Sequence, residues 1–189
     1  MKTAVQSRKK RGKSDWVAMA KNALIKDGIK GVKVDLLARD LDVTRGSFYW
    51  HFKNRQHLLD ALIDHWRHSN SEPMLEAIRR AGARGLQKDF KYVDDLWFEE
   101  HDYNPRYDAA VRDWARTEEI VADAVHEIDR IRIDAFTEMF KAYGFADEKA
   151  LIRARILYYH QVGYYALNIH QTVKERRYLS PQYNEVLLF

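Results

Sequence analysis

The chain has 189 residues, 46% of them apolar and 32% charged, with a net charge of +4 and no cysteine. The apolar share supports a packed core and excludes wholesale disorder. Without cysteine there are no disulfides, no thiol catalysis and no cysteine-ligated metal sites. Three prolines and eight glycines leave little punctuation for a many-stranded sheet, so an all-α fold is expected. Residues 1–70 hold 15 Lys/Arg against 7 Asp/Glu, whereas residues 71–189 hold 17 against 21. A first third of net +8 on a remainder of net −4 suggests that the first third meets a polyanion. No apolar stretch follows the basic run up to Lys13, so no signal-peptide core is expected. The longest run without Asp, Glu, Lys or Arg, Ile156 to Val173, is broken by His160, Gln161 and Asn168 and reads poorly as a membrane span. A soluble cytoplasmic protein is the expectation.

A first helix is expected from Asp15, capped by Ser14, with Val17, Ala20 and Leu24 on one face and Gly28 as its stop. A second short helix runs from about Asp35 to Leu41. The tight turn Asp42-Val43-Thr44 follows, and Thr44 caps a third helix from Arg45 to about Phe52. Asn54 caps a fourth, Arg55 to about Ser69, with Leu58, Leu59, Leu62 and Trp66 inward. A short linker is placed near Asn70 to Pro73. Segments near 72–84 and 88–101 are amphipathic, and Pro105 suits the first turn of a helix carrying Val111 and Trp114. A long helix spans about Glu118 to Tyr143. The last helix starts near Asp147, its cap, and runs to about Val173.

Residues 35–52 read helix, turn, helix. That is the pattern of a helix-turn-helix, whose second helix can lie in the major groove of DNA. Ala38 is small where the two helices cross, and Val43 and Phe48 are apolar where the second packs under the first. Arg45, Ser47, Tyr49, Trp50 and His51 face outward. Basic and aromatic donors on so short a helix suit base edges and phosphates better than a core.

The run Val43-Thr44-Arg45-Gly46-Ser47-Phe48-Tyr49-Trp50-His51-Phe52-Lys53-Asn54-Arg55 strongly resembles the DNA-binding domain of the tetracycline-repressor (TetR) family. Ala38, Val43, Thr44, Gly46, Tyr49, His51, Phe52 and Arg55 match the family pattern in place, and the match covers roughly residues 14–62. Two positions depart from it. Asp42 stands where the family usually has glycine, and it tolerates the left-handed backbone better than most residues. Lys33-Val34-Asp35 replaces a helix start that usually carries a threonine on phosphate. Lys33 then supplies the contact as a point charge, and Asp35 becomes the expected cap.

Taken together, residues and resemblance imply DNA contacts from Lys33, Thr44, Arg45, Gly46, Ser47, Tyr49, Trp50, His51, Lys53 and Arg55. The basic arm from Arg8 to Lys13 either reaches the minor groove or raises non-specific affinity. The resemblance also implies a small-molecule pocket in the C-terminal helices. Trp97, His101, Tyr103, Tyr107, Trp114 and Phe136 are the candidate ligand contacts, with Arg112 as a further polar group, and the effector is expected to be aromatic or apolar. Val121, Val125 and Ile128 on the long helix, with Leu151, Ala154, Tyr158, Gln161 and Tyr165 on the last, are expected to form a homodimer interface. The Glu99-Glu100-His101-Asp102 cluster reads as a solvated helix end, because helical neighbours point apart and no second histidine lies four residues on.

No catalytic residue, metal site or cofactor is expected. The chain has no Gly-x-Ser-x-Gly elbow, no phosphate-binding glycine loop and no His-Glu-x-x-His. The expected organisation is a basic arm (1–13), a helix-turn-helix domain (14–70) and a helical effector-binding and dimerisation domain (71–189). The expected function is a homodimeric repressor of a near-palindromic operator on double-stranded DNA, released by an effector. The alternative is a DNA-binding protein whose C-terminal domain docks a protein partner.

Overall fold

The computed structural model describes residues 11–189. Lys2, Arg8, Lys9 and Lys10 of the basic arm therefore lie outside the described residues. Among the described residues the α-helices are α1 (Lys13–Asp27), α2 (Val34–Asp40), α3 (Arg45–Phe48), α4 (Arg55–Trp66), α5 (Glu72–Gly82), α6 (Lys91–Glu99), α7 (Pro105–Ala115), α8 (Glu119–Ala142), α9 (Asp147–Ala166) and α10 (Val173–Leu188). No strand occurs among the described residues. The chain divides into two compact units, one reaching to Leu62 and the other running from Ile63 to Phe189.

In the first unit, helix α1 opens two residues earlier than expected. Gly12 is its N-cap, and the Gly12 N–H donates to the Asp15 carboxylate at 2.7 Å. Ser14 lies inside the helix and is not the cap. Trp16, Val17, Ala20 and Leu24 bury the inner face, and Gly28 closes the helix at φ +66°, a conformation that glycine adopts without steric cost. Helix α2 starts at Val34 with Lys33 at its N-cap. Asp35 is therefore not the cap. Asp42 takes φ +55°, so the turn does hold the left-handed residue expected there.

Helix α3 is four residues long, shorter than expected, and 3-10-like bonds carry the chain on to Phe52. Tyr49, Trp50 and His51 donate their backbone N–H groups to Gly46, Ser47 and Phe48, three residues back. Thr44 occupies the N-cap position, but its hydroxyl makes no capping bond. Asn54 does cap α4, its side chain accepting the His57 N–H at 2.9 Å.

In the second unit, the expected linker near Asn70 to Pro73 is helical. A π-helical segment, Arg67–Ser71, runs directly into α5. Asn70 and Ser71 are buried because they serve a polar network described below. Pro105 takes the first turn of α7, and the Asn104 side chain caps it. Around α8 packs an aromatic core that includes Phe90, Trp97, Tyr103, Phe136, Phe140, Tyr143 and Tyr158.

The end of the chain departs most from expectation. Helix α9 stops at Ala166, Asn168 turns left-handed at φ +51°, and a separate helix α10 follows. Thr172 and Glu175 form a reciprocal capping box at its start. That Thr-x-x-Glu pattern is the local signal for a helix start, and it was readable in the sequence. The helix is docked by side chains. Ser180 and Asn184 donate to Asp94 at 2.6 and 3.1 Å, and Arg176 and Arg177 pair with Glu100, Glu99 and Asp95 of the α6 region.

Candidate nucleic-acid interface and ligand cavity

Two aromatic rings hold the α3 segment in place. Phe48 sits edge-on to Trp16 of α1, with centroids 5.2 Å apart, and stacks on Phe52 at 5.3 Å. Both are fully buried. Burying a phenylalanine contributes about 1.5–3 kcal/mol, so this inner face is firmly anchored. The helical turn then leaves the opposite side to solvent. Tyr49 is 54% exposed and Trp50 is 87% exposed. Thr44, Arg45 and Gly46 are exposed as well, and Ser47 is half-buried. A tryptophan so exposed loses the burial that normally stabilises it, which marks Trp50 as a residue turned outward rather than packed on the neighbouring helix.

Local contacts orient this surface. The Ser47 hydroxyl donates to the Thr44 carbonyl at 2.8 Å. Arg45 lies 3.4 Å from Asp35 of α2. Both side chains are largely exposed, and such pairs contribute little to stability, so the guanidinium can exchange this partner at small cost. Lys33 and Lys53 are exposed on either side of the segment.

Two expected contact residues are engaged elsewhere. Arg55 donates to the carbonyls of Val32 at 2.7 Å and Ile29 at 3.1 Å, tying α4 to the loop before α2. His51 bonds through Nε2 to the Arg11 carbonyl at 3.0 Å, while the Arg11 guanidinium donates to the Leu41 carbonyl. Both residues support the fold of the unit. These partners lie 23 to 40 residues away in sequence, so no local pattern announces them.

Most of the expected ligand contacts are core in the second unit. Tyr103, Tyr107, Trp114 and Phe136 are buried, and His101 is exposed. Arg112 belongs to a buried ionic network. The Asp108 carboxylate accepts from Trp66 Nε1 at 3.1 Å, Arg132 at 3.1 Å and Arg112 at 2.8 Å. Arg112 also forms a two-pronged pair with Asp129 at 2.6 and 2.9 Å, and the Tyr158 hydroxyl donates to Asp129 at 2.6 Å. Arg132 completes the network on the Asn70 carbonyl and the Ser71 hydroxyl. Two guanidiniums thus balance two carboxylates. Burial alone would raise the Asp108 carboxyl, but Arg132 and Arg112 overcome it and hold the group below its ordinary value.

A cavity of about 350 Å³ lies among α6, α9 and α10. Of the expected ligand residues only Trp97 lines it, joined by Phe98, Leu157, Tyr164, Leu179 and Leu187 as apolar wall. Asp94, His160, Gln161 and Arg176 are its main polar lining. Trp97 Nε1 and Gln161 Nε2 are buried donors without a hydrogen-bond partner, each carrying a desolvation cost of about 1–3 kcal/mol. The cavity escaped sequence reading because half of its wall is α10.

The expected dimer residues are also mostly internal. Val121, Val125, Ile128, Ala154, Tyr158 and Gln161 are buried within the single chain, and Leu151 and Tyr165 are half-buried. The outward apolar residues of α9 are Ile152, Ile156 and Tyr159, joined on α10 by Tyr183 and Val186.

Residues 17–62 match the family "Bacterial regulatory proteins, tetR family". A candidate fatty acid metabolism regulator of Clostridium perfringens aligns over 92% of this chain and 96% of its own, at 17% identity and a TM-score of 0.65. A candidate TetR-family transcriptional regulator from Rhodococcus sp. aligns over 97% of this chain and 100% of its own, at 15% identity and a TM-score of 0.61. Among curated proteins none matches this chain. The arrangement is thus a helical fold with an N-terminal helix-turn-helix. Residues 17–62 are similar to the DNA-binding domain of the tetR family, and the two solved structures share the fold over nearly the whole chain.

Proposed function

We propose that this protein is a homodimeric repressor that reads a near-palindromic operator and is released by a small molecule held in the α6–α9–α10 cavity. The observation that carries the reading is α3: its inner face is pinned by Phe48 while Arg45, Gly46, Tyr49 and Trp50 are turned out. Arg45 reads a guanine edge or holds phosphate, and Thr44, Ser47, Tyr49, Lys33 and Lys53 take phosphates. Trp50 makes apolar contact with the groove.

Gly46 supports this reading from a different side. A Cβ built there would meet only the Thr44 hydroxyl at 3.7 Å, and the backbone is not left-handed. The protein itself has no need of glycine at this position, whereas DNA backbone lying close against it would.

The exposed stripe Ile152, Ile156 and Tyr159 with Tyr183 and Val186 is the surface we assign to the second copy. Its three α9 residues repeat at four and three positions, one face of a helix, and a two-fold dimer carries two recognition segments for two half-sites. Effector binding then favours the state that holds DNA poorly, and the difference in affinity lowers operator occupancy. A bacterial regulator of this kind acts in the cytoplasm, where the chromosome is; no helix among the described residues is long and apolar enough to cross a membrane.

The test is a salt-dependent titration of the purified protein onto a duplex carrying its operator. Arg45→Ala and Tyr49→Ala are each expected to cost about 1–3 kcal/mol of binding, with a shallower salt slope for a lost phosphate contact. Unchanged affinity and slope in both variants would overturn the assignment of α3.

A further inference from the structure

The cavity among α6, α9 and α10 holds a carboxylate that no salt bridge reaches among the described residues. Asp94 lies on α6 one turn before Trp97 and Phe98, so carboxylate and rings share one helical face. Its two hydrogen bonds come from neutral groups, the Ser180 hydroxyl and the Asn184 amide, and both reach Oδ2. The neighbouring acids are all matched. Asp95 pairs with Lys91 and Arg177, Glu99 with Arg177, and Glu100 with Arg176. Among the described residues no salt bridge reaches Asp94.

The other polar lining does not supply the missing charge. Arg176 is committed to Glu100 and the Tyr165 hydroxyl, and its guanidinium lies over the rings of Phe98 and Tyr164. His160 is held below its ordinary value by burial, so it is neutral near pH 7. A carboxylate removed from water and held only by neutral donors remains poorly stabilised. Burial does raise the Asp94 carboxyl above its ordinary value despite those two hydrogen bonds. The rings of Trp97 and Tyr183 also line the cavity, and a desolvated ring attracts a cation by about 2 kcal/mol.

We propose that the ligand of this cavity is an apolar organic cation, a protonated amine or amidine on an aromatic body, seated with its charge on the Asp94 carboxylate. The inference rests on the reading of the cavity as the effector site. A volume of about 350 Å³ falls at the small end of ligand pockets and suits a bicyclic body.

The experiment is calorimetric titration of the full-length protein with three probes of one shape and different charge: naphthylmethylammonium, neutral naphthylmethanol and anionic naphthoate. The ammonium is expected to bind about tenfold or more tightly than the alcohol, and naphthoate weakest. Asp94→Asn should bring the ammonium-to-alcohol ratio close to one. Comparison within the unmodified protein keeps the test decisive even if that variant folds poorly. If alcohol or naphthoate binds as tightly as the ammonium, and Leu157→Trp blocks that binding by filling the cavity, the effector site stands and the charge assignment falls. If none of the three binds, the cavity reading falls and the cation with it.

Discussion

Replacing Asp108 by asparagine tests the internal wiring of the second unit. Asp108 is fully enclosed and accepts from Arg132, Arg112 and Trp66. Arg132 is itself inaccessible to solvent, and its remaining partners, Tyr158, Asn70 and Ser71, are all neutral. Asparagine is nearly the same size, so no cavity arises. What it leaves is two guanidiniums facing one carboxylate, Asp129, with Arg132 fully buried. Removing one partner of a buried pair costs about 3–5 kcal/mol. At about 2–4 °C per kcal/mol for a chain of this length, the melting temperature should fall by about 6–20 °C.

The assay is urea unfolding of both proteins from pH 7 downward. The Asp108 carboxyl is held below its ordinary value in the fold, so its stabilisation is complete above the unfolded value of about 3.9. It is lost as pH falls through the depressed folded value. The difference between the two proteins should therefore be constant from pH 7 to about pH 5 and close only in stronger acid. The double variant Asp108→Leu with Arg132→Met removes both charges and should recover much of the loss. A cost below about 1 kcal/mol at pH 7, with unchanged urea dependence, would refute the reasoning.

Other expectations follow from the same geometry. Gly46→Ala should leave unfolding stability within about 0.5 kcal/mol yet weaken operator binding, which a melting curve beside a binding isotherm would reveal. Arg55→Ala should do the reverse: two hydrogen bonds from a charged group are lost, at about 1.5–3 kcal/mol each, while the folded protein keeps its DNA affinity. An equal loss of affinity would return Arg55 to the contact surface. Ile156→Asp places a charge on the exposed α9 stripe and should shift sedimentation towards the monomer without unfolding the chain; an unchanged assembly would remove that face from the interface.

The reach of local signals set how much was legible in the sequence. The helix-turn-helix is written in short-range chemistry: Asp42 in a left-handed turn, Asn54 as a cap, Phe48 and Phe52 spaced to point the same way. Its outward residues were therefore readable one by one. The part His51 and Arg55 play in the fold was not legible because their carbonyl partners lie far off in the sequence, and a basic residue on a DNA-binding element looks alike whether it faces phosphate or backbone.

The C-terminal unit resisted for a related reason. The stripe Ala154, Tyr158 and Gln161 was sound as a helical face, but the outer face of α9, Ile152, Ile156 and Tyr159, lies two residues back at each step, about 200° round and so on the opposite side of the helix. Periodicity finds a stripe without saying what covers it. Tyr158 and Arg112 went to the ionic network instead of an interface and a ligand. Reading α9 onward to Val173 hid α10 and with it half the cavity wall, although Thr172 and Glu175 signalled a fresh start.

The central claim is sequence-specific recognition of DNA by a dimer through α3, and selection of bound fragments from sheared genomic DNA tests it most directly. The purified protein should enrich a short near-palindrome with half-sites about one helical turn, or a simple multiple of it, apart. The Tyr49→Ala protein should enrich it poorly. Fragments that show no common sequence, retained only at low salt and equally by both proteins, would mean that the basic unit holds DNA as a polyanion and does not read it.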